Sequence, residues 1–336
     1  MTEARNMLAE TAEKALSGDS WARVVDSGLT NVMVPEDKGG FGGGWEDALP
    51  VFRALGAKAV ALPLAETIIA NRLLAAAGLK LDDAPVSFVT QADGEVKKEN
   101  RFTGRLNSIP WEDQAERILG RAQRKDAAYL LVIRRAASKQ RFERNNLAGE
   151  PRGSLSFEDV PIEVALWPEA EIHGFTQMGA LARSCQIAGA METVLAMTVE
   201  HAKTRQQFGR AIGNYQAIQQ QLAIFASETA AVGAAAAAAC RAADRGDAAF
   251  EIACAKLRAN RAVDVATNVG HQVHGAIGIT AEHALHRYTQ RLWSWKSEFG
   301  NDRRWAMELG ARAAARGADA LWADLTAAGA AVTASP

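Results

Sequence analysis

The chain has 336 residues, of which 48% are hydrophobic and 23% are charged, and its formal net charge at pH 7 is -1. This length and composition predict a globular protein of two or three packed units with a substantial apolar core. The near-neutral charge excludes the basic footprint that is typical of nucleic-acid-binding proteins, so no nucleic-acid partner is expected.

Cysteine spacing and hydropathy bear on the compartment. Cys185, Cys240 and Cys254 form an odd, widely spaced set, which excludes a disulfide framework and favours buried thiols in a reducing cytoplasm. The N-terminus lacks the apolar centre of a secretory signal. No apolar run approaches the roughly 20 residues of a membrane-spanning helix, and the alanine-rich stretch 230–240 is too short. A cytoplasmic protein with no membrane partner is predicted.

The first segment, residues 1–79, has helical periodicity, with Leu49, Phe52 and Leu55 on one apolar face. A proline- and glycine-rich stretch at 34–44 interrupts it and predicts a turn.

The second segment, residues 80–168, predicts a small β domain of antiparallel strands. Short β-type runs at 86–90, 128–133 and 154–157 alternate with polar turns. The polar stretch 139–153 predicts an exposed loop or hairpin.

The third segment, residues 169–336, is again helical, with long helices predicted at 179–203, 214–245, 248–273 and 302–315. Small side chains on the second of these helices favour close packing in a bundle. The predicted fold is therefore mainly α with a small β domain, in the order α–β–α, and it ends in a four-helix bundle.

The end of the first long helix carries residues suited to a phosphate and a planar ring. Arg205 precedes Phe208 and a glycine, so its guanidinium can meet a phosphate while the aromatic ring packs on a flat group. The alternative is a helix C-cap in which Arg205 only offsets the helix dipole. Gln216 and Gln219 share one face of the next helix, where amides can bond a heterocycle or remain solvated.

A second candidate lies where the third long helix stops. Gln272 precedes Gly275 and Gly278, and glycines can expose backbone N–H groups to a pyrophosphate without a blocking side chain. The alternative is an ordinary capping turn. His271 and His274 have metal-ligand spacing, but no further ligand pair lies nearby in the sequence, so no metal site is predicted.

These motifs together resemble a known family. The ordered set RQQFG (205–209), QAI (216–218) and QVHGAIG (272–278) resembles the C-terminal signature of the acyl-CoA dehydrogenase family. The stretch VPEDKGG (34–40) resembles that family's N-terminal proline–glycine turn, and the α–β–α order also matches.

The resemblance implies a cofactor, a reaction and partners. Arg205 and Phe208 would contact the FAD of a neighbouring subunit, Gln216 would reach the same cofactor, and Gln272 and Gly275 would hold its adenosine pyrophosphate. Such proteins form dimers or tetramers that share flavins. They remove the α-proton of an acyl-CoA and pass the β-hydride to the flavin, whose electrons go to an acceptor protein of the electron-transfer flavoprotein type.

The chain departs from the family pattern at three points. The middle segment lacks the family's Glu-Pro and Gly-Ser-Asp loop and its Trp-Ile-Thr-type strand. The nearest candidate for the proton-abstracting glutamate is Glu298, although an ungapped comparison places Lys296 at that position. The alternative for Glu298 is a surface carboxylate paired with Lys296, Arg303 or Arg304. Arg183 is a loose counterpart of the family's CoA-contacting arginine.

These departures resemble heteromeric bacterial acyl-CoA dehydrogenases, which typically act on polycyclic or steroid-side-chain CoA thioesters. The prediction is FAD-dependent α,β-dehydrogenation of an acyl-CoA by one subunit of a homo- or hetero-oligomer. Two alternatives stay open: a non-catalytic partner that donates FAD contacts to a sister dehydrogenase, and an oxidase or monooxygenase of the same fold. The aromatic residues Trp293, Trp295, Phe299 and Trp305 are either an active-site wall or interface core.

Overall fold

The computed structural model describes residues 3–124, 127–169, 171 and 173–326. The chain divides into two compact units, one formed by Met1–Val51 and Val60–Gly179 and the other by Phe52–Ala59 and Ala180–Pro336. The division runs through two helices, α3 (Trp45–Lys58) and α5 (Phe175–Thr204). The three-domain division predicted from composition stays a prediction.

The first unit begins with helices that surround a buried one. The glycine turn predicted at 34–44 is present, and Gly40 is required there because a Cβ would overlap the carbonyl of Val34. Nearly every residue of the last of these helices, α4 (Leu64–Ala76), is buried. The hydroxyl of its Thr67 accepts a hydrogen bond from the N–H of Val86 at 3.1 Å, which fixes the helix to the first strand. The helices are α1 (Glu3–Ala15), α2 (Trp21–Asp26), the first part of α3, and α4 (Leu64–Ala76).

The rest of the first unit is two four-stranded sheets. The first has the order β1 (Val86–Phe88), β4 (Arg117–Arg124), β5 (Ala127–Arg134), β8 (Glu163–Leu166). The second has the order β2 (Ala92–Lys97), β3 (Arg101–Leu106), β7 (Ser154–Pro161), β6 (Gln140–Phe142). Their inner faces share one core, to which β3 contributes Phe102, β5 contributes Leu131 and β7 contributes Phe157.

The second unit is a helical bundle. Helices α5, α6 (Gln216–Arg245), α7 (Ala249–His274) and α8 (Leu285–Ser297) meet in one apolar core. The predicted C-terminal bundle is therefore present, but α8 takes the place in this core that was predicted for the helix at 302–315. Two further helices follow, α9 (Asp302–Arg316) and α10 (Ala318–Thr326). The short antiparallel strands β9 (Gln206–Gln207) and β10 (Arg210–Ala211) lie between α5 and α6.

The last part of α3 packs on α5 within the second unit by backbone contact. A Cβ at Gly56 would overlap the carbonyl oxygen of Gln186, and a Cβ at Gly189 would overlap that of Arg53. Glycine at both positions therefore allows the two helix backbones to touch. The Arg53 guanidinium also bonds both carboxylate oxygens of Glu192, at 2.6 and 2.8 Å.

Most elements lie where the sequence predicts them, with two differences. The β domain is not purely antiparallel, because β1 pairs with β4 in parallel. Helix α8 was not predicted, so residues 292–297 are helical and Glu298 is the first residue beyond the helix.

Among the residues that the structure describes, helix α6 is long and apolar enough, by length and composition alone, to cross a membrane. In the structure 28% of its apolar window is buried. The sequence did not predict such a candidate, because glutamines at the start of α6 and charged residues at its end flank an alanine-rich centre. One such helix is weak evidence for a membrane span, because core helices of soluble proteins also meet this criterion.

Candidate functional site

The segment that joins α5 to α6 is a tight hairpin with an exposed aromatic tip. Phe208 and Gly209 form its turn with φ angles of 52° and 82°, as a two-residue type I′ turn requires. The left-handed conformation costs a non-glycine residue about 1–2 kcal/mol, yet Phe208 adopts it and its side chain is 92% exposed. The Tyr215 hydroxyl stabilises the hairpin by donating a hydrogen bond to the carbonyl of Gln207 at 3.2 Å.

The second candidate lies at the end of α7. Gly275 ends the helix with φ 64° and ψ -143°, a conformation that favours glycine. Among the described residues, no atom outside Gly275, its chain neighbours and the adjacent helix backbone lies within 4 Å of the place where its Cβ would be. Gln272, one turn earlier, is exposed. The corner therefore offers an exposed amide beside an open stretch of backbone.

Chain topology brings these two candidates to one end of the bundle. Helices α6 and α7 are joined by a short turn, so the end of α7 returns to the start of α6, where Gln216 is exposed. His201, one turn before Arg205, stacks on His274 of α7 with ring centroids 4.6 Å apart. All five residues predicted to bind the cofactor thus share one end of the second unit, and all five are exposed: Arg205, Phe208, Gln216, Gln272 and Gly275.

Three histidine rings lie in a row behind this corner. His274 stacks on His201 on one side, and His283 lies 4.7 Å away on the other. Backbone groups assign the neutral tautomers, since His274 Nδ1 must donate to the Gly270 carbonyl at 2.7 Å and His283 Nδ1 accepts the N–H of Leu285. His274 Nε2 is left as an acceptor, buried and without a hydrogen-bond partner in the described structure.

Burial favours the neutral form of two of these imidazoles, those of His201 and His274. Desolvation lowers the pKa of His201, and the nearby His283 and Arg205 lower it further. Desolvation also lowers the pKa of His274, against the opposing effect of its hydrogen bond to Gly270. The described residues contain no group of three or more His, Cys, Asp or Glu side chains placed to hold a metal ion.

Arg183 and Glu298, predicted for substrate contact and proton abstraction, form one ion pair. Arg183 Nε donates to Glu298 Oε2 at 2.7 Å, and Arg183 Nη1 donates to Gln186 at 2.5 Å. The side chains are 2% and 15% exposed, so the alternative of a surface carboxylate at Glu298 is wrong. Lys296 instead pairs with Asp264, at 2.7 Å to both carboxylate oxygens. Arg183 lies about six turns before Arg205, which separates them by roughly 30 Å along α5.

The aromatic residues near Glu298 divide between core and surface. Trp295 and Trp305 are buried, at 2% and 0% exposure, and therefore belong to the core of the unit. Trp293 is 40% exposed and stacks on His271 with centroids 5.9 Å apart. Phe299 lies 5.4 Å from the Arg183 guanidinium and contributes to the surroundings of the ion pair.

Sequence reasoning missed a buried lysine beside the ion pair. Lys256 is 0% exposed, and its ammonium contacts the end of α8 just before Glu298. The only signal in the sequence is its place on the apolar stripe of α7 that includes Ile252, Ala259 and Val263. A lysine on such a stripe can also extend its end to solvent, so the pattern alone did not single it out.

Comparison with known proteins agrees with the motifs. Residues 172–302 match the family model described as acyl-CoA dehydrogenase, C-terminal domain. Acyl-CoA dehydrogenase IpdE2 of Mycobacterium tuberculosis is 31% identical over 270 residues, which cover 79% of this chain and 76% of that protein. The chain belongs to the acyl-CoA dehydrogenase family. The resemblance identified from the motifs at 205–209, 216–218 and 272–278 is thereby confirmed.

Solved structures confirm the acyl-CoA dehydrogenase fold across nearly the whole chain. The ChsE4-ChsE5 complex from Mycobacterium tuberculosis has a TM-score of 0.79 at 21% identity and covers 94% of this chain and 98% of the other. PigA with FAD and proline has a TM-score of 0.76 at 16% identity, with coverage of 94% and 99%. At these identities the likeness establishes the fold alone.

Proposed function

We propose that this chain is a subunit of an FAD-dependent acyl-CoA dehydrogenase that oxidises the α,β-bond of an acyl-CoA thioester. Family membership supports the reaction class, and the ChsE4-ChsE5 likeness supports an assembly of two unlike subunits. The cofactor is FAD, the substrate is an acyl-CoA, and an electron-transfer flavoprotein-type protein accepts the electrons.

The observation that carries the proposal is the fully exposed end of the bundle. Phe208 adopts a left-handed backbone at the hairpin turn and exposes its ring to solvent, which favours contact of this ring with a second molecule. Arg205 beside it offers a guanidinium for a diphosphate, and the open backbone at Gly275 leaves room for one. The exposed surface therefore fits a flavin dinucleotide held by a neighbouring subunit.

The chain contributes residues at two separate places. The Arg205 end binds the diphosphate of the flavin in the adjacent subunit, and Gln272 bonds its adenosine side. Glu298, toward the other end of α5, takes the α-proton of the thioester while Arg183 keeps its carboxylate ionised and oriented. The bound flavin supplies the acceptor for the two electrons. The roughly 30 Å between Arg183 and Arg205 supports contributions of one chain to two different flavins.

The test uses the chain purified together with the subunits that copurify with it. We expect visible flavin absorbance and acyl-CoA turnover with an artificial electron acceptor, using a straight-chain and a steroid-side-chain CoA thioester. Arg205→Ala should lose most of the bound flavin, because the charge-assisted bonds to the diphosphate are removed. Arg245→Ala is the matched control, since Arg245 is an exposed arginine at the opposite end of α6. A complete assembly without flavin would refute the proposal.

A second candidate function is a non-catalytic subunit that only donates flavin contacts to a sister dehydrogenase. The Arg183–Glu298 pair favours it, because a guanidinium stabilises the charged carboxylate and makes it a weaker proton acceptor. Glu298→Gln separates the two candidates. If turnover by the flavin-loaded assembly falls at least about a hundredfold, Glu298 is the base. If turnover is unchanged while Arg205→Ala still loses flavin, the chain is the non-catalytic partner. Peroxide release in the absence of an artificial acceptor would instead indicate the oxidase alternative.

A further inference from the structure

Lys256 is a charged group placed entirely inside the helical bundle. Its side chain is 0% exposed, and a buried ammonium is costly unless partners compensate for the lost water. Its Nζ has three such partners: Asn260 Oδ1 at 2.5 Å, the carbonyl of Trp295 at 2.9 Å and the carbonyl of Lys296 at 3.2 Å. Three acceptors match the three N–H donors of a protonated lysine.

The two carbonyls belong to the last turn of α8, where helix carbonyls have no partner within the helix. A cation there satisfies them and interacts favourably with the helix dipole. Asn260, one turn further along α7, sends its Nδ2 to the carbonyl of Gly300 at 3.3 Å. The 297–300 loop runs from the last residue of α8 to Gly300 and carries Glu298. Lys256 holds the last turn of α8 before this loop, and Asn260 holds its far end.

This loop has a strained backbone. Phe299 has a φ of 55°, which a bulky residue rarely adopts, and Gly300 has a φ of 112°. Such conformations persist only where the surroundings hold them. The hydrogen bonds from Lys256 and Asn260 supply that restraint, together with Trp305 Nε1, which donates to the Gly300 carbonyl at 3.2 Å.

We infer that Lys256, assisted by Asn260, is a positioning residue for Glu298: its hydrogen bonds hold the 297–300 loop and its charge steadies the Glu298 carboxylate. The inference rests on the proposed function, because Glu298 needs accurate placement only if it is the base. Glu298 and Asp302 favour the charged lysine, whereas Arg183 and Lys296 oppose it. Burial is the main cause that lowers the pKa of Lys256 to about 7.

The test replaces Lys256 by Met in the complete flavin-loaded assembly. We expect kcat to fall about tenfold or more, with KM changed less than about twofold, because a displaced base loses transition-state contact without losing substrate binding. The acid limb of the kcat/KM profile should move to higher pH, since removal of a nearby cation makes Glu298 easier to protonate. Amide hydrogen exchange in the 297–300 loop should become faster.

Arg258→Met is the matched control, because Arg258 lies on the same helix but pairs with Glu228 of α6. It should change neither the acid limb nor exchange in the loop. Lys256→Gln is a second variant that keeps an N–H donor without the charge. It should shift the acid limb as Lys256→Met does, but its kcat should fall less than that of Lys256→Met. The same measurements on Lys256→Gln test the inference if the Met variant does not fold.

Each outcome decides the question. Unchanged kcat, acid limb and exchange in the Lys256 variants, with Glu298→Gln inactive, overturn the inference and leave the proposed function intact. Faster exchange with an unmoved acid limb also overturns it, because the lysine would then only support the fold. If Glu298→Gln is fully active, the assignment of the base fails first and the inference fails with it.

Discussion

Removal of the Arg183 guanidinium should destabilise the second unit strongly. Arg183 is 2% exposed and Glu298 is 15% exposed, so Arg183→Met leaves a mostly buried carboxylate without its guanidinium. Breaking a buried pair from one side typically costs about 3–5 kcal/mol. In a unit of this size the loss corresponds to a decrease in Tm of roughly 10 °C.

Urea titration and calorimetry at pH 7 measure this loss for Arg183→Met, Glu298→Gln and the double variant. The double variant should lose less than the sum of the two, with a coupling of about 0.5–3 kcal/mol, because the second change removes the buried charge that lost its guanidinium in the first. Arg258→Met is the reference, since its pair with Glu228 is partly exposed and worth about 0–1 kcal/mol. A loss for Arg183→Met no greater than that of this reference would show that the pair is not effectively buried, and the reasoning would be wrong.

Three further predictions follow from other parts of the second unit. Phe208→Ala should leave Tm unchanged, because its side chain is 92% exposed, but should reduce the flavin retained by the assembly, as read from visible absorbance. The free energy of unfolding should fall as pH drops below about 6.5, because His274 has a lowered pKa in the folded protein and binds a proton more readily in the unfolded chain. In urea titrations at several pH values, His274→Gln should make the free energy of unfolding less dependent on pH. Gly56→Ala should lower the free energy of unfolding by about 1–3 kcal/mol, because its Cβ would overlap the Gln186 carbonyl. Gly233→Ala is the control and should be neutral or slightly stabilising, because the atom nearest to its Cβ would lie 3.9 Å away. Thermal denaturation compares the two variants.

The long helices were predictable because their apolar residues recur at helical spacing over many turns and glycines mark their ends. Helix α8 was not, because only three of its buried residues, Leu285, Leu292 and Trp295, are apolar and a histidine- and glycine-rich stretch precedes it. The parallel pairing of β1 with β4 could not be predicted either, because β-type runs in a sequence indicate strands but not which strands pair. The flavin-binding roles of Arg205 and Gln272 stay predictions.

The sequence by itself determined the family, the α–β–α order and the motifs, because each depends on residue types at short spacings along the chain. Only the tertiary structure decided that Arg183 meets Glu298, 115 positions away, and that Lys256 reaches the end of α8. The same holds for the three neighbouring histidine rings, which come from α5, α7 and the loop before α8. Contacts between distant residues depend on how helices pack, and no local pattern encodes which side chains will face each other inside a bundle.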